Sequence, residues 1–152
     1  MRLLPLLLLP CLLAISCTGL FTNRDELLDA PAVVMLDGRA FTLRAFLTVD
    51  NMPPVTPPRT MYIGVGLMCS DTAFDFSGMG IEVLWALAAG GASWRTRPSS
   101  QAYEPSRDEL FASAGGGPEW ADGVEAQVVA RIKVRDASFL LRDSTVVVGW
   151  AE

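Results

Sequence analysis

The sequence predicts an all-β fold, an antiparallel β-sandwich with one short helix, and three observations lead there. Apolar residues recur at every second position over residues 39–49 and again over 124–134, the period of a strand with one buried face. Asp37-Gly38 stands between two apolar runs and suits a two-residue hairpin turn, whose central residues need positive φ. Glycine and proline cluster between the apolar runs, and short strands separated by such breakers build a sandwich or barrel.

The chain opens with Met1, one positive charge at Arg2 and an apolar run over residues 3–16 that contains Pro5 and Pro10. A bilayer-spanning helix takes about 20 apolar residues, so this run is read as a cleaved signal peptide and not as a permanent anchor. Its ending, Ala14-Ile15-Ser16-Cys17, resembles the bacterial lipobox. That resemblance implies that Cys17 becomes the acylated amino terminus of a lipoprotein, carrying fatty chains such as palmitate. Ala14-x-Ser16 equally fits the small-x-small site of general signal peptidase; in that reading Cys17 is a free thiol. One acyl chain holds a protein only marginally and a second makes attachment durable, so lipidation of Cys17 implies a stable bond to membrane lipid in the cell envelope. Thr18, with no Asp following the cysteine, matches the outer-membrane-directed pattern for a host with two membranes. Arginine far in excess of lysine, with abundant Ala, Gly and Pro, suggests a GC-rich bacterial genome.

Cleavage before Cys17 leaves 136 of the 152 residues, enough for one domain with its own core. The expected division is a signal over 1–16, a tether over 17–31 and a sandwich domain over 32–152. Cys11 leaves with the signal, so Cys69 is the only cysteine besides Cys17. It reads as buried behind an apolar run or as a partner for another chain. Without Arg2 there are 11 basic and 17 acidic residues, a net charge of −6. That balance argues against nucleic acid, which wants basic stripes, and against adsorption to anionic lipid by charge.

The tether would carry at most a marginal helix near Asp25–Leu28. Residues 32–36 read as a strand, and residues 39–49 as its return, with Phe41, Leu43, Ala45, Leu47 and Val49 turned inward. Residues 50–60 hold Pro53, Pro54, Pro57 and Pro58; proline donates no ladder hydrogen bond, so this is a loop with a polyproline-like surface. Residues 61–68 form a strand with Gly64 and Gly66 on one face, open to close approach by a neighbour. A loop over 69–80 follows. Residues 81–89 read as a strand whose alternation puts Ile81, Val83, Trp85 and Leu87 inward, with residues 92–97 as its partner. Ser106-Arg107-Asp108-Glu109 has capping-box spacing and predicts a helix to about Ala114, closed by Gly115. Residues 124–134 are the most regular strand, Asp136-Ala137-Ser138 a turn, and 139–142 and 145–150 two last strands. The pattern suits an immunoglobulin-like sandwich, without the Cys…Trp…Cys mark of true immunoglobulin domains; a closed barrel is the alternative.

No constellation of catalytic residues stands out, and no catalysis, cofactor or metal is expected. The chain has no His, the commonest general base and metal ligand. Nucleophile-elbow, phosphate-loop and zinc patterns are missing. Lys133, the only lysine, points outward from a regular strand. Asp71, Asp75 and Ser77 offer oxygens to a hard cation but lack EF-hand spacing and read as a solvated loop. Asp108 and Glu109 are accounted for by the expected helix start. The candidate ligand-binding residues are Trp94, beside a glycine pair, and Trp120, in the loop after three glycines, placed to stack on a sugar or peptide of the envelope.

Three segments together resemble a group of small exported bacterial lipoproteins without assigned activity. They are Leu36-Asp37-Gly38-Arg39-x-Phe41-x-Leu43 running to Asp50-x-Met52-Pro53-Pro54, then Gly116-Gly117-Pro118-x-Trp120-x-x-Gly123 leading into Val128-Val129-x-Arg131, and Phe139-Leu140-Leu141-Arg142. The resemblance implies a compact β domain and assigns no mechanism or site. The expected function is a lipid-anchored envelope protein with a binding or structural role; the alternative is a sugar- or peptide-binding module that uses Trp94 and Trp120.

Overall fold

A computed structural model describes residues 22–50 and 59–151. The segment read as a signal, Cys17 and Pro53, Pro54, Pro57 and Pro58 lie outside those residues. The fold is all-β and sandwich-like. Its elements are α1 (Arg24–Leu28), β1 (Val33–Leu36), β2 (Arg39–Asp50), β3 (Met61–Cys69), a single 3-10 turn (Phe76–Gly78), β4 (Met79–Ala88), β5 (Ser93–Thr96), β6 (Ser100–Glu104), β7 (Glu109–Gly117), β8 (Glu125–Val134) and β9 (Ala137–Ala151).

The strand order is β5-β4-β8-β9-β2-β3-β7-β6, with β1 also on β2. The sheet folds over at β9. Its first part pairs antiparallel with β8, up to Val147 opposite Glu125; from Val148 it runs parallel to β2. One layer is therefore β6-β7-β3-β2 with β1 and the end of β9, and the facing layer is β5-β4-β8 with the start of β9. The sequence suggests two final strands; the structure has one that changes partners, with an extra residue between Asp143 and Val146 where the register to β8 shifts.

The principal core lies between the layers. From one side come Phe41, Leu43, Leu47 and Val49 of β2 and Ile63, Val65 and Leu67 of β3; from the other come Ile81, Leu84, Val128 and Ile132. At about 1.5–3 kcal/mol per fully buried aliphatic or aromatic side chain, this cluster is the main source of cohesion. The β1–β2 turn is as its residues predict: Leu36 pairs with Arg39, and Asp37 and Gly38 have φ of 50° and 76°, the mirror-image turn that matches strand twist.

The expected helix from Ser106 does not form. Residues 105–108 are a turn, and Glu109 opens β7, hydrogen-bonded to β3 on one side and β6 on the other. Leu110, Ala112 and Ala114 alternate into the core, and that burial between two ladders outweighs a local capping preference. Ser106 gives its backbone N–H and hydroxyl to Glu104, not to Glu109. The short helix of this fold is α1 instead.

The alternation of β4 is also broken. Ile81 pairs with Ile132 but Val83 pairs with Arg131, so Glu82 is an extra residue on β4. Such a bulge reverses the facing of everything after it. Leu84 and Ala86 thus enter the principal core, while Val83, Trp85 and Leu87 turn to the outer face. Trp85, expected inward, is buried on that outer side, 5 % exposed.

It is covered by the segment expected to be a tether. Leu27 and Ala30 are buried against Val83, Trp85, Leu87 and Val129 in a second, smaller cluster. A five-residue helix is marginal alone. Here Asn23 caps it by accepting from the Glu26 N–H at 2.8 Å. Arg24 donates to the Ala88 carbonyl at 2.9 Å, and Gln127 to the Leu27 carbonyl at 2.9 Å. The Arg142 N–H donates to the Pro31 carbonyl at 2.9 Å. Residues 22–31 are thus part of the sandwich.

Candidate functional site

Trp94 and Trp120 are both half-buried against the principal core. Trp94 lies on β5, not in a loop. Its ring covers Gly117 so closely that a Cβ there would come 2.7 Å from the indole, so it joins β5 of one layer to β7 of the other. Trp120 follows β7 and packs on the same core. Trp150 also packs there, and the Arg59 guanidinium lies 5.4 Å from its ring centre. The sequence singles out the tryptophans because they neighbour glycines; in space Gly117, beside Trp120 in sequence, makes room for Trp94, while Gly90 and Gly91 face open space.

A concave aromatic surface lies elsewhere. A cleft of about 560 Å3 opens at the side of the sandwich, between the β3–β4 connection and β6. Phe74, Phe76 and Tyr103 line it, with Asp75, Ser77 and Gln101 at its polar positions. The rings form a chain: Phe41 meets Phe74 edge-on at 5.1 Å, Phe74 meets Phe76 edge-on at 5.0 Å, and Phe76 stacks near Tyr103 at 5.9 Å. Phe76 is buried and Tyr103 is 47 % exposed, so the chain rises from core to surface.

Each polar group has an identifiable anchor. Gln101, on the edge strand β6, accepts from the Ile81 N–H at 2.7 Å through Oε1. That bond ties β6 to β4 beside the Glu82 bulge and leaves the Gln101 amide N–H groups as donors. Asp75 accepts from the Ser77 backbone N–H and hydroxyl, both at 2.9 Å, and this holds its carboxyl below the usual value. Arg39 donates to Asp71 at 3.0 Å and lies over the Phe74 ring at 5.7 Å. That bond, with the Ala73 N–H, likewise lowers Asp71. Tyr103 donates its hydroxyl to Asp108 at 2.6 Å, which raises the phenol above its ordinary value. The Asp71–Ser77 loop is thus organised by an ion pair and local turns, and no three metal-ligating side chains converge among the described residues.

The outer face of the first layer carries a second unusual cluster. Gly64 and Gly66 of β3 leave a trough; the Phe46 ring fills it over Gly64 and the Glu109 carboxylate over Gly66. Glu109 is wholly buried and takes 2.7 and 2.8 Å contacts from Arg44 Nη2. Phe46 stacks with Phe111 at 6.1 Å. The sequence marks the glycine pair for close approach; what approaches comes from β2 and β7.

Chemically, the side cleft offers ring faces, amide donors and an ionised carboxylate acceptor. Those groups suit an uncharged, hydroxyl-rich or ring-bearing ligand: C–H faces lie against aromatic rings while neighbouring hydroxyls exchange hydrogen bonds. A sequence reading misses the cleft because Phe74, Phe76, Gln101 and Tyr103 lie on separate segments. Comparison with protein-family models, curated proteins and solved structures finds no match.

Proposed function

We propose that this chain is a lipid-anchored protein of the bacterial envelope whose sandwich serves a binding role and not catalysis. The observation that carries the anchoring is the Ala14-Ile15-Ser16-Cys17 ending of a short apolar leader. Acylated Cys17 fastens the chain to membrane lipid, in the outer membrane if the host has two. The likeness of three segments to small exported lipoproteins supports the same reading. Intact mass of the amino-terminal peptide from the native host tests it: a diacylglyceryl-modified Cys17 is expected, and an unmodified thiol refutes it.

The side cleft favours a saccharide as ligand. Tyr103 and Phe74 supply the stacking surface, Gln101 the donors and Asp75 an acceptor. A cleft near 560 Å3 falls in the range of small-ligand sites. In this reading Trp94 and Trp120 support the fold and do not touch the ligand. Calorimetric titration with N-acetylglucosamine oligomers and maltodextrins tests it. Saturable heat that is lost in Tyr103→Ala and kept in Trp120→Phe is expected; binding lost in Trp120→Phe and kept in Tyr103→Ala would return the site to the tryptophans.

A further inference from the structure

The docking of α1 changes what a lipid at Cys17 would do. Were residues 17–31 free, a chain of that length could hold the domain about 50 Å from the bilayer. The structure shortens it. Thr22 accepts a hydrogen bond from Arg131 on the outer face of β8, and everything from Arg24 to Pro31 is fixed to the same face by Leu27, Gln127 and Arg142. The five-residue span from Cys17 to Thr22 then sets the greatest length of the leash. Five residues reach at most about 18 Å, whereas a domain of this size is about 35 Å across. A leash shorter than the body, fixed to one face, prevents the opposite face from turning to the bilayer.

Resting on the anchoring proposed above, we infer that the outer face of the β5-β4-β8-β9 layer, with α1, lies against the lipid surface. Two features of that face accord with contact. Leu28 and Val147 are 39 % and 53 % exposed, and they border a mainly apolar cleft of about 500 Å3 beside α1, floored by Leu87, Ala88 and Ala126. Charge adds no pull toward anionic lipid: exposed Arg95 and Lys133 are outnumbered by exposed Glu82, Asp25, Glu26 and Asp29. The leash, not electrostatic attraction, sets the orientation. The aromatic side cleft draws none of its lining from this face and stays open to solvent, and the Phe46–Phe111 face points away from the membrane.

The test uses the lipidated protein in phosphatidylethanolamine–phosphatidylglycerol vesicles, in a Cys69→Ala background so that one new thiol takes a bimane label. Ser138→Cys reports the exposed outer face of β9 near Lys133, and Ser100→Cys the exposed edge beside Ser113 on the opposite layer. Lipids with nitroxide headgroups are expected to quench label 138 strongly and label 100 hardly at all. Equal quenching, or the reverse order, overturns the orientation while mass spectrometry still shows acylated Cys17. An unacylated Cys17 overturns the anchoring and the orientation with it. Inserting ten Gly/Ser residues after Thr18 lengthens the leash by about 35 Å and leaves the sandwich untouched. The contrast between labels is expected to vanish; a contrast that survives overturns the leash as its cause.

Discussion

Replacing Arg44 by Met strips the buried Glu109 carboxylate of its principal partner. Glu109 has no exposed surface, and both its oxygens lie within 2.8 Å of Arg44 Nη2. The remaining cation is Arg107, at 3.7 Å. Breaking a fully buried pair costs about 3–5 kcal/mol. The Arg44 side chain is 51 % exposed, so water reaches the carboxylate once Arg44 is shortened, and the expected cost falls to about 2 kcal/mol. With a urea m-value of about 2 kcal/mol/M for a domain of this size, that is a midpoint lowered by about 1 M at unchanged slope. Glu109→Gln alone leaves Arg44 able to reach solvent and costs less, about 1 kcal/mol. The double variant should be more stable than the sum of the singles by about 1 kcal/mol, the coupling of a contacting pair. Equilibrium urea unfolding of the wild type and three variants measures it. An Arg44→Met midpoint indistinguishable from wild type, or strict additivity in the double variant, would show that the carboxylate does not depend on Arg44.

Three further outcomes are expected. Gly64→Ala sets a Cβ 2.1 Å from the Phe46 ring; the ring must leave its place over β3, costing about 1–3 kcal/mol as overpacking does, and the penalty should shrink in a Phe46→Ala background, measured by thermal or urea unfolding. The Tyr103 phenol, raised by its bond to Asp108, contributes stability below the ordinary tyrosine value of about 10 and loses it as pH rises through the raised value; ultraviolet titration should show its midpoint fall towards 10 in Asp108→Asn. Asp71 and Asp75 are lowered, so their contribution is present above about pH 3.9 and is lost as pH falls through their depressed values; the Phe74 and Phe76 resonances should broaden or shift in that acid range, and in Arg39→Ala the Asp71 titration should move up towards its ordinary value.

Some of this molecule is written locally. The period of two in β2 and β8, the Asp37-Gly38 turn and the small residues of β3 each follow from a few neighbouring residues, because strand facing and positive φ are properties of short segments. The all-β fold was therefore legible. The rest depended on partners far apart in the chain. Ser106–Glu109 satisfies a capping rule, yet the alternation of Leu110, Ala112 and Ala114 between two ladders made a strand. Ile81 to Leu87 alternates without interruption as a string, but the extra residue at Glu82 reversed the facing of Trp85. That reversal needed a cover, which α1 provides through Leu27. The rings of the side cleft likewise come from distant segments, Phe74 before β4 and Tyr103 on β6, while Trp94 packs over Gly117. Sequence alone determined the all-β character, the alternation of β2 and β8 and the tight turn between β1 and β2. Tertiary structure alone decided which face each strand buried and which aromatic rings stayed in solvent, since burial is settled by long-range pairing and no short segment contains it.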